Sequence, residues 1–387
     1  MATYHLLPSL AAAAESKEIP PVTDATRMRD LSFALSGTNS PIQRLPVELL
    51  HEIFLACLPT NEYTPVSSRL APLVVSWVCK RWRYISLSLP MLWSSLALES
   101  TSLTVHTNCR YLSHAKFWLA RAGRAHLTLS IQGRSVYGKE SSVGHDYTAF
   151  LTVEGFVQKC TKLDLHVPIS TNGFLDIMRH AFVLVDAKFH DVSSDFHLSS
   201  APAPIEVDNL RTLQVTAPSI EPLLRWLLLP ELNGFVIRES DSHLGTCLTL
   251  TNLLARSGCR LESFSYTTAR RAALGPAMAE FLAHPTLQGV HTLALRGFTL
   301  CQQALAPLRV SDYPRQHILP LLADLELGTC SSYDGDLAAI VISRVQGSSP
   351  ALKAISVQFG YEQHALDLAQ LNKLGLGALK VDVRGYD

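Results

Sequence analysis

The sequence has few charged residues and lacks the cysteine spacings of a metal knuckle or a disulfide framework. Only 17% of its 387 residues are charged, and 33 Lys and Arg balance 33 Asp and Glu. Because no basic excess is available to neutralise phosphates, we expect no nucleic-acid partner. The eight cysteines form no Cys-x-x-Cys pair, and no Asn-x-Ser/Thr glycosylation site is present. We therefore expect a reducing compartment, the cytoplasm and/or the nucleus.

Long apolar runs and catalytic motifs are also missing. No run approaches the roughly 20 apolar residues that span a bilayer, so we expect no membrane partner. The sequence contains no Gly-x-Ser-x-Gly, His-Glu-x-x-His, phosphate-binding loop or Gly-x-Gly-x-x-Gly. Its histidines are scattered, with His180, His190 and His197 the nearest to a cluster. We predict no enzyme activity, no cofactor and no metal, and we interpret Asp164 and His166 as neighbours on a solvent-facing strand.

What the sequence does contain is apolar surface. The apolar share is 47%, and the chain is long enough for two or more units. Residues 1–40 are predicted to be a flexible lead-in with a short helix near 24–35, because Pro20-Pro21 and Gly37–Ser40 interrupt regular structure.

Residues 41–59 predict a helix with an unusually wide apolar face. Pro46 suits a first helical turn, Glu48 favours the positive helix end, and Pro59 helps to end the helix. At 100° per residue, the apolar side chains from Leu49 round to Leu58 cover about 180°, whereas one face of a small bundle needs about 100°. The excess predicts that this helix packs on its own domain and on a second body.

A second helix is predicted over Ala71–Ser86. It carries one apolar stripe through Val78 and Trp82 and another through Trp77 and Tyr84. A three-helix unit of about 50 residues cannot bury both stripes. Ser94–Leu98 then alternates like a half-buried strand.

The ordered set of residues across this region resembles the F-box motif, in the version found in fungal F-box proteins. It runs Leu45-Pro46-x-Glu48, Ile53-Phe54, Leu58-Pro59, Val78-Cys79-Lys80-x-Trp82-Arg83 and Pro90-x-Leu92-Trp93. The loop Thr60–Pro72 departs from the family pattern, because it is longer than usual and contains two prolines.

The resemblance implies a three-helix module that docks on the Skp adaptor of SCF-type cullin–RING ubiquitin ligases. Carried onto this chain, the adaptor-binding residues are Leu45, Pro46, Leu49, Leu50, Ile53, Val78, Cys79 and Trp82. The alternative interpretation is that these are core residues of a helical lead-in with no adaptor. The F-box is assigned to residues 41–93, and residues 94–159 to a linker helix with the first strands. Within this linker we predict a helix over Cys109–Ala122, a strand at Leu127–Ile131 and a loop over 132–146.

From residue 160 to 387 one pattern, apolar-x-x-apolar-x-apolar, recurs nine times. It begins at Cys160, Leu184, Leu210, Leu232, Leu261, Val290, Leu322, Leu352 and Leu376, at spacings of 22 to 32 residues. Amphipathic stretches lie between, at 221–229, 248–256, 275–283, 336–345 and 364–374. This period is typical of leucine-rich repeats, although only Cys330 meets their Asn/Cys position.

The predicted fold class is therefore α/β: an N-terminal three-helix F-box followed by an irregular leucine-rich-repeat-like solenoid with a curved parallel sheet. A β-sandwich or an unrelated α/β domain is the alternative. The residues between the buried positions are the candidate target-binding set: Asp164, His166, Thr216, Arg238, Arg296 and Glu326, with Lys188, His190, Gln214, Ser265, Thr267, Gln358, Lys380 and Asp382 beside them.

The function expected from the resemblance is a substrate-recognition subunit, in which the repeat domain recruits an unknown target protein for ubiquitination. Two rivals remain open. One is a repeat scaffold or interaction protein outside any ligase, and the other is an enzyme with an unrecognised site in the C-terminal domain.

Overall fold

The computed structural model describes residues 41–100, 105–133, 142–193, 203–241, 245–269, 275–297, 299–310, 318–346, 352–359, 364–375 and 380–384. The chain divides after Ile53 into two compact units. The predicted lead-in 1–40, His197, Leu376 and Leu379 lie outside the described residues. Among the helices that are described, none is long and apolar enough to cross a membrane.

The helices are α1 Val47–Ala56, α2 Leu73–Trp77, α3 Lys80–Leu87, α4 Val105–Arg121, α5 Ser142–Val153, α6 Thr171–His180, α7 Glu221–Leu224, α8 Thr246–Ser257, α9 Pro276–Leu282, α10 Gln302–Leu305, α11 Asp336–Gln346 and α12 Ala365–Gly375. The strands are β1 Ser95–Ser100, β2 Leu127–Gly133, β3 Cys160–His166, β4 Ile169–Ser170, β5 Asp186–Phe189, β6 Val192–Ser193, β7 Ile205–Glu206, β8 Thr212–Ala217, β9 Leu227–Leu228, β10 Gly234–Glu239, β11 Ser263–Thr268, β12 Thr292–Arg296, β13 Leu300–Cys301, β14 Asp324–Ser331, β15 Ala354–Phe359 and β16 Lys380–Arg384.

Residues 54–387 are built around one large parallel sheet. Its order is β1-β2-β3-β5-β8-β10-β11-β12-β14-β15-β16, with β13 also paired to β14, giving twelve strands. Two small parallel pairs, β4 with β6 and β7 with β9, complete the strands. The prediction of an α/β fold with a parallel sheet is confirmed, and the β-sandwich alternative is wrong because sandwich sheets are antiparallel.

The recurring apolar positions explain this sheet. The last two positions of the first eight repeats lie in register, so they form two continuous buried rows across the strands. The ninth repeat is shifted, because Val381, its last position, pairs with Ile355, the second position of the eighth. One row is Leu163, Ala187, Leu213, Phe235, Phe264, Leu293, Leu325 and Ile355, and the other is Leu165, Phe189, Val215, Ile237, Tyr266, Leu295, Leu327 and Val357. All are at most 2% exposed. Side chains alternate along a strand, so the residues between them lie on the opposite face.

A recurring backbone contact fixes where each strand begins. The carbonyl of Arg211 accepts the N–H groups of both Asn233 and Gly234, and the carbonyl of Asn233 in turn accepts those of Glu262 and Ser263. The same two-donor contact recurs at the carbonyls of Val185, Glu262, His291 and Ala323. The starts of β8, β10, β11, β12, β14 and β15 are therefore set by the preceding strand.

The long loop between α1 and α2 lies along the first edge of this sheet. The Ala97 N–H donates to the Thr64 carbonyl at 2.7 Å, and Pro65 forms a parallel bridge with Ala97. The Thr64 N–H donates to the Ser95 hydroxyl at 3.0 Å. This loop thus supplies the neighbour that β1 otherwise lacks.

Trp93 joins α3 to the sheet and to α4. It is fully buried, and its indole N–H donates to the Ser86 carbonyl at 2.8 Å. The Trp118 ring packs edge-on against it at 5.0 Å, and the Arg121 guanidinium lies 4.5 Å above its ring. Buried aromatic pairs of this kind contribute about 0.5–1.5 kcal/mol beyond their buried area.

Three predicted elements need correction. The helix predicted over Ala71–Ser86 is broken into α2 and α3, because Cys79 is extended (φ −158°) and its sulfur accepts the Trp82 N–H as an N-cap. The helix predicted over 221–229 ends at Leu224, since Leu227–Leu228 forms β9 instead. The loop predicted over 132–146 gives way to α5 from Ser142.

Gly297 provides a test of the strand packing. It has a φ of +78°, and a Cβ built there would overlap the carbonyl oxygen of Thr268 in β11. Gly258 ends α8 with a φ of +62° and has no atom within 4 Å of its Cβ position. Gly258→Ala should therefore cost only the left-handed backbone penalty, about 1–2 kcal/mol.

Gly297→Ala should cost more, about 3–5 kcal/mol, because the β11 backbone must also move. The measurement is urea unfolding of both variants beside the wild type. Equal losses for the two glycines would show that β11 and the end of β12 are not as close as described.

Candidate functional site

Helix α1 presents apolar side chains at its surface. Leu49 is 50% exposed and Ile53 is 38% exposed, while Pro46 is exposed and Leu45 is partly buried. Leu50 is fully buried, so its side chain belongs to the core and is not presented for binding, in contrast to the sequence-based expectation. The α1 surface is therefore carried by Leu49 and Ile53.

A second group of exposed apolar residues lies on α2, α3 and the two residues between them. Trp77 is 49% exposed, Val78 is 58% exposed, and Cys79 is also exposed. Trp82 is partly buried because its ring packs on Phe54 at 4.8 Å. It therefore contributes less to the surface than the sequence suggested.

These exposed apolar residues are concentrated in a short stretch of the chain. More than half of the large apolar side chains found exposed among the described residues fall between Ile42 and Met91. Exposed apolar side chains that lie close together mark interaction surfaces in proteins, so each of the two units carries candidate contact residues in this stretch.

The candidate target-binding residues lie on the face of the large sheet opposite the two buried rows. This open face carries Asp164, His166, Lys188, Gln214, Thr216, Arg238, Ser265, Thr267, Arg296, Glu326, Gln358, Lys380 and Asp382 on its strands, with His190 just after β5. Register places Thr216 beside Arg238. The other pairs that the structure brings together are Arg296 with Glu326 and Asp164 with two histidines.

Asp164, His166 and His190 form one cluster at the β3–β5 end of the open face. The Nε2 atoms of His166 and His190 lie 3.1 Å and 2.9 Å from the same Asp164 oxygen, Oδ1. The two imidazoles stack with centroids 3.6 Å apart and planes 12° from parallel. The sequence separated His190 from the pair, but the 24-residue spacing of the first two repeats places it beside His166.

Burial and charge oppose each other in this cluster. Burial acts to raise the pKa of Asp164, but the hydrogen bond from His190 and the nearby His166 outweigh it, so the pKa is lowered. Burial lowers the pKa of His166, and the Asp164 carboxylate only partly offsets this. The lowered pKa values of Asp164 and His166 favour an ionised carboxylate beside a neutral His166 imidazole at neutral pH.

A groove of about 420 Å³ crosses the β10–β16 part of the open face. Short side chains form its floor, among them Ser265, Ala294 and Ser356. Arg296 and Glu326 stand together in it, with Arg296 Nε donating to Glu326 Oε1 at 2.6 Å and Nη2 donating to Oε2. Because the lining side chains are short, a ligand in the groove can approach the strand backbone, and one charged pair stands beside it. Such a groove suits an extended peptide or a side chain of a protein partner.

The most enclosed ionisable groups serve the fold. Glu239 is 3% exposed and accepts hydrogen bonds from the Tyr266 hydroxyl at 2.6 Å, the Thr246 hydroxyl at 3.2 Å and the Ile220 N–H at 3.1 Å. Burial raises the pKa of Tyr266, and Glu239 raises it further. These groups link β10 and β11 to α8 rather than facing solvent.

A second cluster lies at the start of α12. His364 Nδ1 lies 3.0 Å from Asp367 Oδ2, and the Asp334 carboxylate accepts the N–H groups of Leu366 and Asp367. Asp367 Oδ1 also accepts the Ala338 N–H at 2.7 Å. These bonds satisfy the first amides of α11 and α12, as helix caps do.

No protein-family model matches this chain, and no curated protein matches it either.

Tyr266→Phe tests the buried network. The substitution leaves the Glu239 carboxylate without its shortest hydrogen bond, so we expect a loss of about 1–3 kcal/mol in the free energy of unfolding. Tyr84→Phe is the matched control, since Tyr84 is 77% exposed, and it should change stability by less than about 0.5 kcal/mol. Urea unfolding measures both, and an unaffected Tyr266→Phe would contradict the network.

Proposed function

We propose that this chain is the substrate-recognition subunit of an SCF-type cullin–RING ubiquitin ligase. Residues 41–93 act as the F-box that docks on the Skp adaptor, and residues 160–387 form an irregular leucine-rich-repeat-like domain that recruits a target protein. The observation that carries the proposal is the exposure of Leu49, Ile53 and Val78, three apolar residues at F-box positions.

Exposure at these positions is costly unless a partner covers them. A buried Leu, Ile or Val side chain is more stable than an exposed one by about 1.5–3 kcal/mol. Three such side chains held at the surface favour a protein partner with an apolar surface. We propose Leu49, Ile53 and Pro46 as adaptor contacts of the first unit and Val78 and Cys79 as adaptor contacts of the second, with Leu50 as structural support.

The proposed mechanism is proximity. The F-box ties the chain to the ligase scaffold, while the open face of the sheet holds the target near a ubiquitin-loaded enzyme on another subunit. Tethering replaces a bimolecular encounter by an effectively intramolecular one. This chain needs no catalytic group for that role, and we propose a cytoplasmic and/or nuclear location for it.

A second candidate function is a repeat scaffold outside any ligase. The groove of the open face favours it, because the groove lies within β10–β16 and a partner can bind there whether or not a ligase is attached. The two functions differ in one property, which is whether a bound partner becomes ubiquitinated.

Adaptor docking is tested by co-purification with the Skp adaptor. The double variant Leu49→Ala/Ile53→Ala should lose most of the binding, since truncated interface anchors typically cost about 2 kcal/mol or more each. The matched control is Phe182→Ala/Leu248→Ala, which removes two side chains that are 62% and 64% exposed elsewhere in the chain. The control should bind like wild type. If folded wild type fails to bind the adaptor, the ligase assignment is wrong.

Target recruitment is tested by filling the groove. Ser265→Trp places a large ring on the open face without touching the two buried rows, so we expect lost ubiquitin transfer to co-purifying proteins in a ligase rebuilt from purified parts. Ser265→Ala is the control and should retain transfer. Adaptor binding should be the same in both variants. Transfer that survives Ser265→Trp would place the target elsewhere. A wild-type chain that binds the adaptor but supports no transfer would favour the scaffold.

A further inference from the structure

The cluster of Asp164, His166 and His190 combines the donor atoms that borderline divalent metals prefer. Two imidazole nitrogens and one carboxylate oxygen are typical protein ligands of zinc, and three such ligands leave one position open. These three residues offer ligand atoms that all lie within 4.8 Å of one another. They come from two adjacent strands, β3 and the end of β5, so the sheet register holds them together.

The distances suit a small ion. Around a tetrahedral zinc with bonds of about 2.0–2.1 Å, neighbouring donor atoms lie about 3.3 Å apart. The two Nε2 atoms lie 3.1 Å and 2.9 Å from Asp164 Oδ1. The three donor atoms are therefore at about the separation that such an ion requires, and the orientation of the stacked rings is what binding must change.

Burial and exposure are divided as a binding site requires. Asp164 is 8% exposed as a residue, so its carboxylate is fixed by its surroundings. The side chains of His166 and His190 are 38% and 23% exposed, which leaves a path from solvent. The hydroxyl of Tyr63 is buried without a hydrogen-bond partner. Burial raises the pKa of Tyr63, and the charge of Asp164 raises it further.

We propose that Asp164, His166 and His190 form a zinc-type divalent metal site on the open face, with a fourth position facing solvent. The sequence predicted no metal, because only the folded register brings His190 to the other two residues. Since the stacked imidazoles point the same way, binding turns one ring so that both Nε2 lone pairs aim at the ion. His166, the more exposed of the two, is the ring that moves. The site does not depend on adaptor docking or on target recruitment.

The test is a zinc titration of the full chain after treatment with a chelator, followed by competition with a chromophoric zinc indicator. Wild type should bind one equivalent that is weakened in His166→Ala and in His190→Ala. Each loss should exceed the roughly 10–100-fold effect of removing a supporting hydrogen bond, because a direct ligand is lost. Asp164→Asn, which keeps the size but removes the charge, should weaken binding as well.

The matched control is His126→Ala, which removes an exposed histidine at the start of β2 and should leave the titration unchanged. Cobalt gives an independent readout, since its visible absorption reports a four-coordinate site and should disappear in the histidine variants. Thermal melting without metal checks that each variant folds. If the alanine variants do not fold, the double variant His166→Gln/His190→Gln replaces them, because glutamine retains a side chain that can form hydrogen bonds. Zinc binding that persists in the double variant, or that never occurs in wild type, would overturn the proposal and leave a hydrogen-bonded cluster only.

Discussion

The shared carbonyl at the start of each central strand is the contact on which the rest of the sheet depends. One oxygen, for example that of Asn233, accepts two amides from the next strand, so the starts of β8, β10, β11, β12, β14 and β15 are fixed relative to their neighbours. A slip of one residue would exchange the two faces of a strand. Because these starts are fixed, the apolar positions of these strands align into the two buried rows, and the residues between them are directed to one open face. The groove is a consequence of this alignment.

The repeated apolar pattern predicted this sheet well, and the reason is physical. Positions such as Leu213 and Val215 are two positions apart, which places both on one side of a strand. Recurrence every 22 to 32 residues leaves room for one crossover between strands. Parallel pairing and the open face follow from that pattern. The two short pairs of strands beside the main sheet have no such repetition. The sequence pattern predicts a helix over 221–229 where β9 lies, because Leu227 and Leu228 also fit the apolar face of an amphipathic helix.

The candidate sites were less predictable, because they depend on contacts between distant residues. Leu50 and Ile53 look alike in the sequence, yet one is fully buried and the other is exposed. The break between α2 and α3 rests on the Cys79 sulfur accepting an amide, a weak cap that composition does not indicate. His190 joins Asp164 only through the register of β3 and β5. In each case local pattern limits the options and tertiary packing selects among them.

Pro65 gives the first edge of the sheet a property that the strands alone do not have. A parallel sheet exposes unpaired amides and carbonyls at its edge, and such an edge is a template for joining a second molecule. Here the edge strand β1 pairs with the segment that contains Pro65. Because proline has no N–H group, Pro65 cannot donate a hydrogen bond to a further strand. Shortening this loop would uncover β1, and the cost would appear as self-association rather than as lost folding.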